Sequence, residues 1–96
     1  MIGPVAVLDV MSAAMQTKVR AIANGLDLRF PASTSEADFT DTVRGASYIV
    51  ARGAGLPEAV LRSTNGLKLV HQWGTGTDQI PLAVAKELGV PVARSP

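Results

Sequence analysis

The stretch of this sequence richest in chemical possibility is Gly74-Thr75-Gly76-Thr77-Asp78. Glycine lets a backbone approach an anion closely and adopt turns in which successive N–H groups converge, so these residue types suit a backbone nest for a carboxylate or phosphate. Arg52-Gly53-Ala54-Gly55 is a second glycine-rich stretch. A plain strand-to-helix turn would call for the same glycines. The first stretch departs from a dinucleotide fingerprint, because Gln79 stands where the third glycine belongs. The acidic residue expected about 20 positions on, at the end of the next strand, is also absent, its place falling near Arg94 to Pro96. Asp78 reads as an acceptor that fixes the loop through backbone N–H groups rather than as an acid or base.

Other reactive side chains are sparse. His71 is the only histidine, and its place with an apolar strand favours a packing role over catalysis. Trp73, the only tryptophan, reads as a cover for the end of the core, with stacking on a ligand as the alternative. Asp9 ends an apolar run much as an acidic phosphoacceptor pocket would require. The third strand, however, ends in Ala51-Arg52 and lacks the aspartate that such a pocket needs. With no cysteine and one histidine, a metal would have to rely on carboxylates, and Glu36, Asp38 and Asp41 read as an exposed helix face.

Elements that could position these residues follow from the apolar pattern. Val5-Ala6-Val7-Leu8 is a continuous apolar run, as in a strand buried on both faces. From Ser12 the period changes to that of a helix, with Met15, Val19 and Ile22 on one face and Asn24-Gly25 as a stop. Leu26, Leu28 and Phe30 alternate with Asp27 and Arg29 up to Pro31, which predicts a short strand near a sheet edge. Ser35 with Asp38 resembles a capping box, although aspartate reaches back less well than glutamate, and a helix to about Arg44 follows.

Residues 46–51, with Tyr48-Ile49-Val50, predict a third buried strand. Pro57 then opens a helix over 58–63, ended by Asn65-Gly66. Residues 67–70 predict strand four. Pro81 opens a helix through Leu88 that Gly89 closes, and residues 90–93 predict strand five, which Pro91 places at an edge or a start.

Five strands alternating with four helices predict an α/β fold, a flavodoxin-like doubly wound five-stranded parallel sheet of order 2-1-3-4-5 with helices on both faces. In such sheets ligands lie outside the carboxyl ends of the strands, where both glycine-rich stretches fall. The chain of 96 residues is less than one ordinary domain of about 100–200 residues, and 47% hydrophobic residues argue against disorder. A net charge of +1 without a basic cluster argues against nucleic-acid binding. The N-terminus lacks a signal peptide's basic region, and no apolar run reaches the roughly 18 residues of a membrane span. A cytoplasmic location is the expectation.

The run from Leu67 through His71-Gln72-Trp73-Gly74-Thr75-Gly76-Thr77-Asp78, followed by Gly89-Val90-Pro91-Val92 and Ser95-Pro96, resembles the signature of the D-isomer-specific 2-hydroxyacid dehydrogenases. The motif likeness covers about 30 residues, and the order of elements extends it along the chain. The loop is most similar to that of phosphoglycerate dehydrogenase-like members, which share G-T-G. The resemblance implies that residues 1–96 are a substrate-domain portion of a longer oxidoreductase, one that transfers a hydride between NAD or NADP and a D-2-hydroxy or 2-oxo acid.

The resemblance also implies that the amides of Thr75 and Gly76 hold the substrate carboxylate, with a further hydrogen bond from the Thr75 hydroxyl. Arg52 and Gly53 would lie on the other substrate-contacting loop, and Gly74 and Asp78 would fix the first. Gln79 stands where the family usually has Asn, and Pro81 where a capping Asp is common. The nucleotide-binding domain, with the catalytic arginine, glutamate and histidine, is expected beyond Pro96, so residues 1–96 would hold no catalytic residue, cofactor-binding residue or bound cofactor and would be inactive alone. His71 would not be the family's catalytic histidine. The implied partners are the small acid and the chain's own nucleotide domain, with the whole enzyme a homodimer. A stand-alone flavodoxin-like binding or regulatory module is the alternative that the residues leave open.

Overall fold

A computed structural model of the chain describes residues 3–23, 25–51, 56–73 and 80–95. In chain order the elements are β1 (Val5–Leu8), α1 (Ala13–Ile22), β2 (Leu28–Arg29), α2 (Glu36–Val43), β3 (Tyr48–Ala51), α3 (Glu58–Arg62), β4 (Leu69–Trp73), α4 (Leu82–Leu88) and β5 (Val92–Ser95). The strands form one sheet of order β2-β1-β3-β4-β5, with every neighbouring pair parallel. This is the flavodoxin-like topology that the apolar runs predict. The β2 strand is at an edge, as its alternating sequence requires, and β5 is at the other.

The strand ends are set by backbone hydrogen bonds that begin before the strands do. Ser47 N–H donates to the Pro4 carbonyl at 2.8 Å, and Lys68 N–H to the Ser47 carbonyl at 2.7 Å. The fourth strand runs later than residues 67–70 and takes in His71, Gln72 and Trp73. Its polar residues weaken the apolar signal, but pairing with β3 on one side and β5 on the other outweighs local propensity. The fifth strand is displaced in the same direction. Pro91, just ahead of it, accepts from Val70 N–H at 3.0 Å and has no N–H of its own to offer the ladder.

The two faces of the sheet are packed differently. On one face Ala6, Leu8, Ile49, Ala51 and Val70 meet Phe39 and Val43 of α2, Val60 and Leu61 of α3, and Val84 and Ala85 of α4. On the other, Val5, Val7 and Leu28 meet Met11, Val19 and Ala23 from α1 and its flanks. All four residues of β1 are therefore buried. In β3, by contrast, Ile49 and Ala51 are buried while Tyr48 and Val50 are only half-buried, so this strand is not closed on both faces as its composition predicts.

Helix ends follow their caps. Ser12 accepts from Met15 N–H at 3.1 Å at the start of α1. The apolar stripe of α1 is turned from the predicted one: Met15 and Ile22 are 47% and 87% exposed, while Gln16, Val19 and Ala23 face inward. The helix sits rotated by roughly 70° from the Met15–Val19–Ile22 stripe, taking 100° per residue. At α2, Ser35 accepts from Asp38 N–H at 3.1 Å, as a cap should. The short reach of Asp38 is bridged by Ser33, whose hydroxyl donates to the Asp38 carboxylate at 2.6 Å and accepts from Ser35 N–H at 3.1 Å. Asp38 is thus half-buried and engaged, which corrects its reading as part of an exposed carboxylate face; Glu36 and Asp41 are exposed. Gly89 ends α4 at φ 73°, a left-handed conformation costly for any residue with a Cβ.

Candidate functional site at the carboxyl edge of the sheet

Because the sheet is wholly parallel, all five strands deliver their carboxyl ends to one edge. The register pairs Leu8 with Ala51 and Ala51 with Gln72, so β1, β3 and β4 end side by side. Residues 52–55 leave β3 and residues 74–79 leave β4, and these two strands are hydrogen-bonded neighbours with a spacing of about 4.8 Å. The two glycine-rich stretches therefore depart from adjacent points, on the side where open parallel sheets take their ligands.

Each stretch is anchored at both ends. The first runs from Ala51, fully buried, to Leu56, 2% exposed, and on to Pro57 at the start of α3. The second runs from β4 to Ile80, 4% exposed, and then to Pro81 at the start of α4. The helices that follow are joined by Arg62, whose guanidinium donates to Glu58 at 3.0 Å within α3 and reaches Glu87 of α4 at 2.7 Å. These two carboxylates, Glu58 first, raise the Arg62 pKa above its ordinary value, so the brace keeps its charge through the physiological range. As an exposed ion pair it adds little stability, but it links the two helices that the stretches lead into.

The sequence-derived candidates Arg52, Gly53, Gly74, Thr75, Gly76 and Asp78 all lie outside the described residues, as does the side chain of Trp73. What the described residues provide is the frame: adjacent departure points, buried anchors and two following helices. His71 is half-buried on β4, opposite Val50 of β3 and Ala93 of β5, and points to the α1 side of the sheet. Asp9, directly after β1, stands at the same carboxyl edge, where strand order reverses between β1 and β3.

Sequence reasoning passed over Gln72. It is 7% exposed at the carboxyl end of β4 and, two positions from Val70, faces the α2–α4 side. Its signal was a polar residue in the last turn of an apolar strand, directly ahead of the glycine-rich stretch. Among the described residues no group of three or more His, Asp or Glu side chains is placed to hold a metal ion, and no helix is long and apolar enough to cross a membrane.

The sequence profile of the D-isomer specific 2-hydroxyacid dehydrogenase catalytic domain matches residues 5–96. Among solved structures, phosphoglycerate oxidoreductase from Vibrio cholerae is similar at 18% identity and TM-score 0.76, over 98% of this chain and 31% of that one. Salmonella D-lactate dehydrogenase is similar at 22% identity and TM-score 0.71, over 97% and 30%. The NAD-complexed D-isomer specific 2-hydroxyacid dehydrogenase of Lactobacillus delbrueckii ssp. bulgaricus gives 17% identity and TM-score 0.71, over 97% and 30%. No curated protein matches the chain. At these identities the solved structures support the fold, and the chain spans less than a third of each of their lengths. The profile match runs over nearly the whole sequence, including both glycine-rich stretches, and on that ground the chain belongs to the D-isomer specific 2-hydroxyacid dehydrogenase catalytic-domain family.

Proposed function

We propose that residues 1–96 are the substrate-binding portion of a longer NAD- or NADP-dependent oxidoreductase that interconverts a D-2-hydroxy acid and its 2-oxo acid. The observation that carries this reading is the departure of 52–55 and 74–79 from adjacent strands at the carboxyl edge, in a chain matched by the family profile over residues 5–96. In this reading Thr75 and Gly76 offer backbone N–H groups to the substrate carboxylate, and the Thr75 hydroxyl adds a third donor. Arg52 and Gly53 approach from the neighbouring strand, while Gly74 and Asp78 hold the first loop in shape. Charge-assisted hydrogen bonds of this kind contribute about 1.5–3 kcal/mol each.

The described residues do not fit the nicotinamide dinucleotide. Its pyrophosphate needs a glycine-rich first βα turn, whereas this chain has Asp9-Val10-Met11-Ser12 there, with a carboxylate in the turn and the Ser12 hydroxyl already engaged with Met15 N–H. In this reading the dinucleotide belongs to a domain outside residues 1–96. The role of this chain is to bind and orient the acid. The same reading makes the whole enzyme a cytoplasmic homodimer whose dimer contacts lie mainly in that other domain.

The test is an assay of the product of the complete gene against a panel of 2-oxo acids, with NADH and NADPH, beside the 96-residue chain alone. Cofactor oxidation by the complete protein, with neither turnover nor tight NADH binding by the 96 residues, is the expected result. A complete protein inactive on every 2-oxo and D-2-hydroxy acid, or a 96-residue chain that turns over by itself, would overturn the reading.

A further inference from the structure

Among the described residues two buried side chains are polar, Thr42 and Gln72. Thr42 is satisfied within its own helix, where its hydroxyl donates to the Asp38 carbonyl at 2.7 Å. Gln72 is placed differently. It sits on β4 between Ala51 of β3 and Arg94 of β5, and its Oε1 is shut off from solvent. A buried carboxamide is costly unless it is hydrogen-bonded, whereas methionine or leucine would fill a similar volume without that cost. The backbone groups of β3, β4 and β5 serve the ladders of the sheet. At this end of the face, the polar groups that the ladders do not take up are those of the segments leaving β3 and β4 for α3 and α4.

Those two segments are also the ones without a side-chain cap. Helices α1 and α2 begin on serines, Ser12 accepting from Met15 N–H and Ser35 from Asp38 N–H. Helices α3 and α4 begin on Pro57 and Pro81, neither of which makes a side-chain cap. The residues just ahead of these prolines, Leu56 and Ile80, are buried in the same cluster as Ala51 and Val70. Both glycine-rich stretches therefore leave the sheet at its carboxyl edge and rejoin the core on the α2–α4 side, the side that Gln72 faces.

We propose that Gln72 is a positioning residue for the substrate carboxylate: its carboxamide ties down the backbone at the ends of 52–55 and 74–79 and so aims their N–H groups at the acid. The proposal rests on the reading that these stretches bind the acid. A carboxamide suits the task because it donates and accepts at once. Glycine-rich backbone has many conformations to lose, so a brace from below sharpens its geometry. At 7% exposure Gln72 acts through the stretches and does not itself touch the substrate.

In the complete protein, Gln72→Met keeps the length and volume of the side chain and removes its hydrogen bonds. KM for the 2-oxo acid should rise about three- to tenfold, the effect of one ordinary hydrogen bond, with kcat and NADH affinity little changed. Hydrogen exchange followed by peptide mass spectrometry should quicken about three- to tenfold at 52–55 and 74–79, while peptides over β1 and α2 keep the parent's rates. If that variant fails to fold, Gln72→Leu should give the same two results.

An unchanged KM, unchanged exchange at the two stretches, or exchange that quickens equally throughout the chain would overturn the proposal and leave Gln72 a filler of the core. Exchange is independent of turnover. Quickening confined to the two stretches, in a protein whose parent turns over no 2-oxo acid, would refute the dehydrogenase reading and leave the brace standing. An active parent whose KM and exchange ignore Gln72→Met would do the opposite.

Discussion

The two faces of this sheet show how differently one set of strands can be finished. The α2–α4 face is closed by the chain's own helices: Phe39, Val43, Val60, Leu61 and Val70 are at most 1% exposed. Among the described residues the α1 face is closed only over β1 and β2, and its remaining strands carry apolar side chains that stay half in solvent. The closed face holds the frame from which the two glycine-rich stretches depart. The open face contributes little to that frame, and its stability is expected to depend on what covers it.

Identical deletions on the two faces sharpen this contrast. Val60→Ala on the closed face removes two fully buried methyl groups and leaves a cavity, so urea unfolding should show a loss of about 2–3 kcal/mol. Val50→Ala on the open face should cost no more than about 1 kcal/mol, since that side chain is already partly hydrated. Equal losses at the two positions would break the comparison.

A smaller effect is expected at the cap that docks α2 on the closed face. Ser35→Ala removes the acceptor for Asp38 N–H and should cost about 1 kcal/mol. Ser33→Ala should cost less in the same measurement, because it breaks the bridge to the Asp38 carboxylate and leaves the Ser35 cap in place.

The smallest effect belongs to the brace between α3 and α4. Arg62→Gln should lower the melting temperature slightly, by an amount that shrinks as salt is added, because both ion pairs are exposed. Glu58 and Glu87 raise the pKa of Arg62 above its ordinary value, so its contribution is complete below that ordinary value and fades only as pH rises through the folded one. The difference between Arg62→Gln and the parent should therefore stay constant from pH 7 to pH 10 in thermal melts.

Much of this architecture is legible from residue patterns. The apolar runs at Val5–Leu8 and Tyr48–Ala51, the glycine stops and the proline starts are local signals, and they locate all five strands and the parallel order. What is not legible depends on neighbours. The rotation of α1 depends on which residues meet Val5 and Val7, and the late start of β4 depends on its two partner strands. Asp38 becomes half-buried because Ser33 happens to bridge it. The candidate site is legible as two glycine-rich stretches because backbone amides need glycine whatever the surroundings. That they begin on adjacent strands emerges only from the sheet order.

Residues 74–79 are proposed to bind the carboxylate of a 2-oxo acid while the dinucleotide binds elsewhere. Gly76→Val in the complete enzyme tests it most directly, because a β-branched side chain would shield or redirect the amides at Thr75 and Gly76. Losing one or two hydrogen bonds of about 1.5–3 kcal/mol should raise KM for the oxo acid at least about tenfold, at 1.4 kcal/mol per decade, with NADH affinity almost unchanged. An unchanged KM and kcat/KM, or an equal weakening of NADH and oxo acid, would contradict the claim, and the second result would place this loop on the cofactor.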